Sequence, residues 1–305
     1  SFKQGYSPAT LVLDAPISGS IRGGVEADGG LMPISTALKI GAGSVKPNEA
    51  TKGVPFRSAG AYFSYNPETQ LLSFDEVSVD SDWLAGRSDG IAAIVLRQDG
   101  LPDGFEAVFE FSDLHSATNG LWGHNVVFEN PTVEFGMRTE PFELTLHSAT
   151  LGYEGAELSV EGQLHGGAEG WDYQLFGALP ELSHDQLMML WPEGRSEKTR
   201  IWLDKNVDGA GYRNAFFNLS AEPGQKAAFG LETDLAGAPI RYAKDLSPGV
   251  DVSGHVSLQD KKLTAEVVSG RIYPLQAEGL DAAGTVFSVG DFSDKSGNAL
   301  VRIKG

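Results

Sequence analysis

The chain has no cysteine among its 305 residues, which excludes a disulfide framework and any thiolate metal ligand or nucleophile. No apolar run approaches the ~20 residues of a membrane-spanning helix. Ser1-Phe2-Lys3-Gln4 is not a signal peptide, and the sequence begins and stops within strand-like text. We therefore expect a piece of something longer, with any export signal or anchor outside it.

Basic residues are few, since 23 Lys and Arg stand against 41 Asp and Glu, giving a formal charge of −18. The acidic residues are scattered along the chain. Nucleic acid and anionic bilayers bind clustered Lys and Arg, so neither is expected as a partner of the domain as a whole. A charge of this size otherwise indicates solubility.

Motifs of nucleophilic and phosphate chemistry are missing as well. There is no Gly-x-Ser-x-Gly elbow, and Gly41-Ala42-Gly43-Ser44 lacks the lysine and the helix of a phosphate loop. None of the six histidines has a partner at zinc-motif spacing. His115 and His124 are the closest pair, and we interpret their segment as ordinary loop polarity. The sequence therefore predicts no enzyme, no metal and no cofactor.

Two acidic motifs suggest other sites but fit them poorly. Asp204 to Gly209 opens like a calcium-binding EF-hand loop, yet Ala215 stands where the bidentate Glu belongs, so a helix C-terminus with a polar turn is the better interpretation. Asp80 and Asp82 could flank a sugar or hold a cation. Their place before Trp83 favours a strand end that leads into a turn.

Alternation of apolar with small or polar residues dominates what is present, in about fifteen segments from end to end. Clear examples lie at 34–40, 133–137, 142–146, 217–219, 229–231 and 263–267. Turn signals such as Asn66-Pro67-Glu68-Thr69 and Gln98-Asp99-Gly100 separate them. The sequence thus predicts a mainly β, antiparallel meander.

One segment, 181–208, breaks the alternation and predicts a short helical insert. Ser183 and Gln186 have capping-box spacing ahead of Leu187 to Trp191, and Pro192 should end this helix. Residues 197–206 predict a second helix. The chain then divides into a β-meander at 1–180, the insert, and a β-meander at 209–305, within one continuous elongated β domain.

An antiparallel sheet with this pattern has one wet side and one dry side, and two helices cannot cover the dry one. Either the sheet closes on itself as a sandwich or barrel, or it curls into a gutter filled by an apolar ligand. The pattern alone favours the sandwich or barrel.

A resemblance changes that balance. Leu190-Trp191-Pro192 followed by Arg200-Ile201-Trp202-Leu203-Asp204-Lys205-Asn206 resembles a helical landmark that interrupts the β meanders of the large periplasmic AsmA-like proteins. The strand text from Gly254 to Gly270 is also similar in style. The motif covers about thirty residues of the chain. The membrane helix that such proteins carry at the N-terminus is missing here.

The resemblance implies a long, twisted, open β groove in which phospholipid moves between inner and outer membranes, supporting outer-membrane biogenesis. It implies a periplasmic location, anchorage to the inner membrane through a segment absent here, and no catalytic residues. The expected groove lining consists of alternating apolar residues: Phe109, Phe111, Val133, Phe135, Phe142, Leu144, Leu146, Leu158, Val160, Phe217, Leu219, Phe229, Leu231, Val256, Leu258, Val267 and Phe287.

Two alternatives stay open. A secreted carbohydrate-binding or adhesive β sandwich could use Trp83, Trp122 or Trp171 as stacking platforms. A glycosidase-like enzyme could use one of the many carboxylate pairs, although nothing singles out a particular pair.

Overall fold

In a computed structural model, the described residues are 12–117, 120, 122–191, 197–241, 247–259, 262–273, 278–289 and 299–302. They form a mainly β, antiparallel meander that is not closed and that carries two short helices, as predicted. The chain divides into two compact units. Described residues within 1–152, 159–175 and 221–226 belong to the first unit, and those within 153–158, 176–220 and 227–305 to the second.

The elements up to the helices are, in chain order, β1 (Leu13–Asp14), β2 (Ile17–Arg22), β3 (Ile34–Ile40), β4 (Gly43–Val45), β5 (Val54–Phe56), β6 (Ser58–Asn66), β7 (Leu71–Asp80), β8 (Leu84–Leu96), β9 (Pro102–Ser116), β10 (Glu129–Thr139), β11 (Phe142–Tyr153), β12 (Ala156–Gly167) and β13 (Gly170–Ser183). The remaining elements are α1 (His184–Leu190), α2 (Glu197–Asn206), β14 (Gly211–Ala221), β15 (Ala228–Ile240), β16 (Gly249–Gln259), β17 (Lys262–Ile272), β18 (Leu280–Asp281), β19 (Val286–Val289) and β20 (Ala299–Arg302).

The first unit is built on the antiparallel pairs β2–β3, β3–β6, β6–β7, β7–β8, β8–β9, β9–β10 and β10–β11. Among the described residues β2 pairs with β3 alone, so the sheet of this unit has a free edge at β2. The predicted turns join these strands. In one of them Asn66 Oδ1 accepts from the amide of Glu68 at 2.9 Å, and in another Gly100 has a φ of 80°.

Two short strands leave this meander between β3 and β6. β4 and β5 pair with each other and, through β4, with β1, forming a separate three-stranded sheet. We call β4, β5 and their connection, residues 43–56, the crossing hairpin. Its connection folds around Asn48, whose Oδ1 accepts from the amide of Thr51 at 3.0 Å, and Thr51 is only 2% exposed. The alternation pattern did not predict this substructure.

In the second unit β14, β15, β16 and β17 pair in succession, β17 also pairs with β18 and β19, and β19 pairs with β20. The two helices stand between β13 and β14 in the chain, within the predicted range of 181–208. The predicted helix end, Pro192, lies outside the described residues.

The capping box that predicted α1 is present. Ser183 Oγ accepts from the amide of Gln186 at 3.2 Å, and Gln186 Oε1 accepts from the amide of Ser183 at 2.7 Å. The Gln186 side chain also donates to the carbonyl oxygen of Glu154 at 2.8 Å. Each of these bonds satisfies a backbone group that a helix or strand end leaves free.

Candidate functional site

The strand register of the first unit places alternate apolar residues of eight consecutive strands on one side of the sheet. Phe109, for example, lies opposite both Gly90 and Val133, and Phe63 lies opposite Phe74. Directly opposed residues share a side because successive side chains alternate. We call this side the first apolar face; its large members are Ile17, Ile21, Ile34, Leu38, Ile40, Phe63, Tyr65, Leu72, Phe74, Val77, Val79, Ile94, Phe105, Phe109, Phe111, Leu114, Val133, Phe135, Met137, Phe142, Leu144 and Leu146.

Bulges keep the first apolar face continuous where strict alternation fails. The register shifts between Phe74 and Val77 in β7. It shifts again in β9, where Phe111 and Asp113 lie opposite the adjacent residues Ser88 and Arg87 of β8. A further shift separates Leu146 from Ser148 in β11. Each extra residue resets the parity of the strand, so the apolar side chains before and after it project from the same side.

Most large members of the first apolar face are half-buried, and few are buried. At its centre Phe74 packs on Phe63 and on Phe109 with ring centroids 5.2 Å apart in both pairs, and Phe135 lies 6.0 Å from Phe109. Half-burial follows from a single layer of sheet, in which neighbouring side chains shield one another laterally. A packed two-layer core would bury rings of this size more completely.

Gly90 on β8 lets the Phe109 ring lie against the sheet. A β-carbon at Gly90 would stand 2.5 Å from that ring and 2.3 Å from the carbonyl oxygen of Val108. The neighbours Gly86, Ser88 and Ala92 are also small and buried. β8 therefore forms a low strip on the first apolar face, with the rings of β7 and β9 on either side.

The other side of the same strands is mainly polar, with Ser, Thr, Glu, Asp, Lys and Arg at alternate positions. Leu71, Ile91 and Val108 are exceptions and form a small exposed apolar patch there, flanked by Glu106 and Glu134. The contrast between the two sides confirms the predicted wet and dry faces.

The second unit has an apolar face of its own. Phe217 and Leu219 of β14 lie opposite Leu231 and Phe229 of β15, and the same side continues across β16, β17 and β19. We call it the second apolar face; its large members are Tyr212, Phe217, Leu219, Phe229, Leu231, Leu235, Val256, Leu258, Leu263, Val267 and Phe287. Phe229 remains 46% exposed.

Helices α1 and α2 cover one end of the second apolar face. Leu187, Leu190, Trp202 and Leu203 pack against a buried cluster that contains Tyr212, Leu235 and Ala238. The Phe217 and Phe229 rings, with centroids 6.4 Å apart, lie outside that cluster. The helical insert therefore closes part of this face, and the β14–β15 turn end stays more open.

A buried polar pair lies beneath the helices. His184 Nδ1 and the Tyr212 hydroxyl are 3.0 Å apart, and both side chains are buried. Burial raises the pKa of Tyr212 well above its ordinary value. The hydrogen bond between them holds the first turn of α1 on β14, which is a structural role.

Fifteen of the seventeen predicted lining residues lie on the two apolar faces. The first apolar face has seven of them, from Phe109 to Leu146, and the second has eight, from Phe217 to Phe287. Leu158 and Val160 lie in β12, and both are half-buried. The prediction omitted Phe63, Phe74 and Phe105, although a polar residue, Ser64, Asp75 or Glu106, directly follows each of them.

The acidic motifs are explained by local structure. Asp80 ends β7, and Asp80 and Asp82 both accept hydrogen bonds from the Arg57 guanidinium, which holds the pKa of Asp80 below its usual range. In the EF-hand-like segment, Asn206 Nδ2 donates to the carbonyl oxygen of Trp202 at 2.7 Å, as at a helix C-terminus. Within the described ranges, no three His, Asp or Glu side chains are grouped to hold a metal ion.

The tryptophans considered as sugar platforms differ in exposure. Trp171 packs edge-on against Phe142 with centroids 5.8 Å apart, and Trp122 packs on Phe128. Trp83, in the β7–β8 turn, is 47% exposed. Of the three, Trp83 has the surface that a sugar ring would need.

Helices in the described part of the chain are too short or too polar to cross a bilayer. No protein-family model, no curated protein and no solved structure matches the chain.

Proposed function

We propose that this chain is a segment of a periplasmic hydrophobic groove that binds phospholipid by its acyl chains and conducts it between inner and outer membranes, without catalysis. The proposal includes support of outer-membrane biogenesis, and attachment to the inner membrane in the full-length protein. The observation that carries it is the half-buried apolar face that each unit presents across several strands. The resemblance of the 190–206 stretch to AsmA-like proteins supports the choice of lipid.

Acyl-chain burial has the right size to drive binding. Each CH₂ removed from water contributes about 0.8 kcal/mol, so a C16 chain contributes on the order of 10 kcal/mol before the costs of ordering. The half-buried rings around Phe109 offer apolar contact along their exposed parts. A lipid head group would remain in water.

Bound lipid is the first test. Organic extraction and native mass spectrometry of the protein purified from an envelope-containing host should find phospholipid. Lipid-free protein with a closed, dry core would contradict the proposal.

Two phenylalanines on opposite sides of the second unit provide a matched pair of variants. Phe229 is on the second apolar face and 46% exposed, whereas Phe216 is 59% exposed and pairs with Glu232 on the polar side. Phe229→Gln should weaken binding of a nitrobenzoxadiazole-labelled phosphatidylethanolamine about tenfold, because roughly 1–2 kcal/mol of ring burial is lost. Phe216→Gln should leave it unchanged. Equal effects would show that the apolar face is not the binding surface.

Sugar binding is the competing function, because Trp83 is half-exposed in a turn. A glycan array with wild type and Trp83→Ala tests it. Retention on a glycan that Trp83→Ala abolishes, together with absence of lipid, would favour the adhesive module over the groove.

A further inference from the structure

The crossing hairpin connects two distant parts of the first unit. Its base continues β3 after Ile40 and β6 before Ser58, and the adjacent amide of Arg57 donates to the carbonyl oxygen of Asp80 at 2.7 Å. Its tip reaches the last two residues of β12. There Asn48 Nδ2 donates to the carbonyl oxygens of Gly166 and Gly167 at 2.8 and 3.2 Å.

A second contact strengthens the tip. Trp171 Nε1 donates to the carbonyl oxygen of Lys52 at 2.7 Å, and the Trp171 ring packs against Phe142. Pro47 stands so close to Gly166 that a β-carbon there would lie 2.8 Å from its ring. The tip is therefore held by three hydrogen bonds and by a close-fitting proline.

This contact requires the sheet of the first unit to curl. Six antiparallel pairings separate β3 from β11, where Phe142 begins the strand, which is about 29 Å in a flat sheet. The two sites also lie at opposite strand ends, which adds to the separation. Residues 41–48 extend over at most about 26 Å. Curling and twisting must bring these corners of the sheet together.

The hairpin crosses on the apolar side. Phe142 pairs with Thr139 and belongs to the first apolar face, and both Trp171 and Gly166 are in contact with Phe142 or within its reach.

From this geometry we propose that the crossing hairpin is a fixed link over the first apolar face: it holds the two flanks of the curled sheet together and bars sideways entry, so that an acyl chain enters along the strands' open ends. The inference rests on the proposed function for its ligand. The link itself rests on the contacts of Asn48, Lys52 and Trp171 alone.

Asn48→Ala removes the two bonds to the end of β12, and Asn66→Ala is its control, since the bonds described for Asn66 stay within its own turn. With labelled phosphatidylethanolamine as probe, Asn48→Ala should release bound lipid about tenfold faster, because losing two hydrogen bonds loosens the link. Asn66→Ala should match wild type. Unchanged release from Asn48→Ala would overturn the proposal.

A disulfide at the tip of the crossing hairpin tests whether the hairpin stays fixed or has to open when lipid enters. The chain has no cysteine, and a β-carbon at Gly167 would come no nearer than 3.9 Å to the carbonyl oxygen of Gly170, so Asn48→Cys with Gly167→Cys introduces one cross-link. Oxidised protein should take up and release the probe as wild type does, whereas reduced protein, which lacks the Asn48 bonds, should release it about tenfold faster, as Asn48→Ala does. Uptake by oxidised protein that is about tenfold slower than by wild type, and that reductant restores, would show that the hairpin must lift, and would overturn the fixed link.

Hydrogen exchange distinguishes failure of the link from failure of the proposed function. Amides of β4 and β5, which do not bond to Asn48 directly, should exchange faster in Asn48→Ala than in Asn66→Ala, with or without lipid. If wild type binds no probe, the lipid groove is rejected. The difference in amide exchange between the two variants still tests the link in that case. Equal exchange in the two variants would reject the link whatever binds.

Discussion

The Tyr212 hydroxyl illustrates how one buried polar group depends on its partner. It is 3.0 Å from His184 Nδ1, beneath helices that shield both groups from water. Ionising the phenol there would place a charge in an apolar cluster, which is why burial raises its pKa. In the folded state the phenol therefore stays neutral where an unfolded chain, with a Tyr pKa of about 10, would ionise.

The sign of the pH dependence follows from that difference. The contribution of Tyr212 to stability is fully present below about pH 10, where both states are neutral, and is lost progressively as the pH rises above it. Tyr212→Phe should lower the free energy of unfolding by about 1 kcal/mol at pH 7 and flatten its decline above pH 10. Urea denaturation from pH 7 to 11 measures both, with the exposed Tyr62→Phe as control. A decline as steep as in wild type would contradict this account.

At the scale of elements, α1 depends on its first turn. It has seven residues, too few to be stable without tertiary contacts, and Ser183 provides both a cap and the link to Gln186. The helix in turn carries Leu187 and Leu190 onto the second apolar face.

Ser183→Ala should lower the free energy of unfolding by about 1 kcal/mol and speed amide exchange in α1, because the Gln186 amide loses its acceptor. Ser35→Ala, at an exposed position on the polar side of β3, is the matched control and should change little. Equal stability of the two variants would mean that the cap contributes nothing.

Some elements of this fold can be predicted from local sequence patterns and others cannot. The strands, the turn at Asn66, the helix start at Ser183 and the side to which Phe109 and Phe229 belong follow from local patterns, and each was predicted. The bulge at Ser112 was not, because an extra polar residue in a strand looks like ordinary variation. The crossing hairpin was missed because β4 and β5 have three residues each, too few to show a period.

At the scale of the whole molecule, the net charge affects how fast the protein associates with anionic and with zwitterionic membranes. With a formal charge of −18, the protein should take up labelled phosphatidylethanolamine more slowly from vesicles with about 30% anionic lipid than from zwitterionic ones at low salt. The difference should vanish near 1 M salt, where the Debye length falls to about 3 Å. Stopped-flow fluorescence measures the rates. Faster uptake from anionic vesicles would reveal a basic docking region that the overall charge conceals.

The crossing hairpin also bears on the order in which the first unit can fold. Meander strands meet neighbours that precede them closely in the chain, so each can join the sheet soon after the last, with little loop-closure entropy. The bond from Asn48 to Gly166 spans 118 residues and needs β12 and its turn in place. Formation of that contact is therefore a late event. During synthesis, residues 43–56 are made more than a hundred residues before Gly166, so they cannot complete this contact until β12 has followed them.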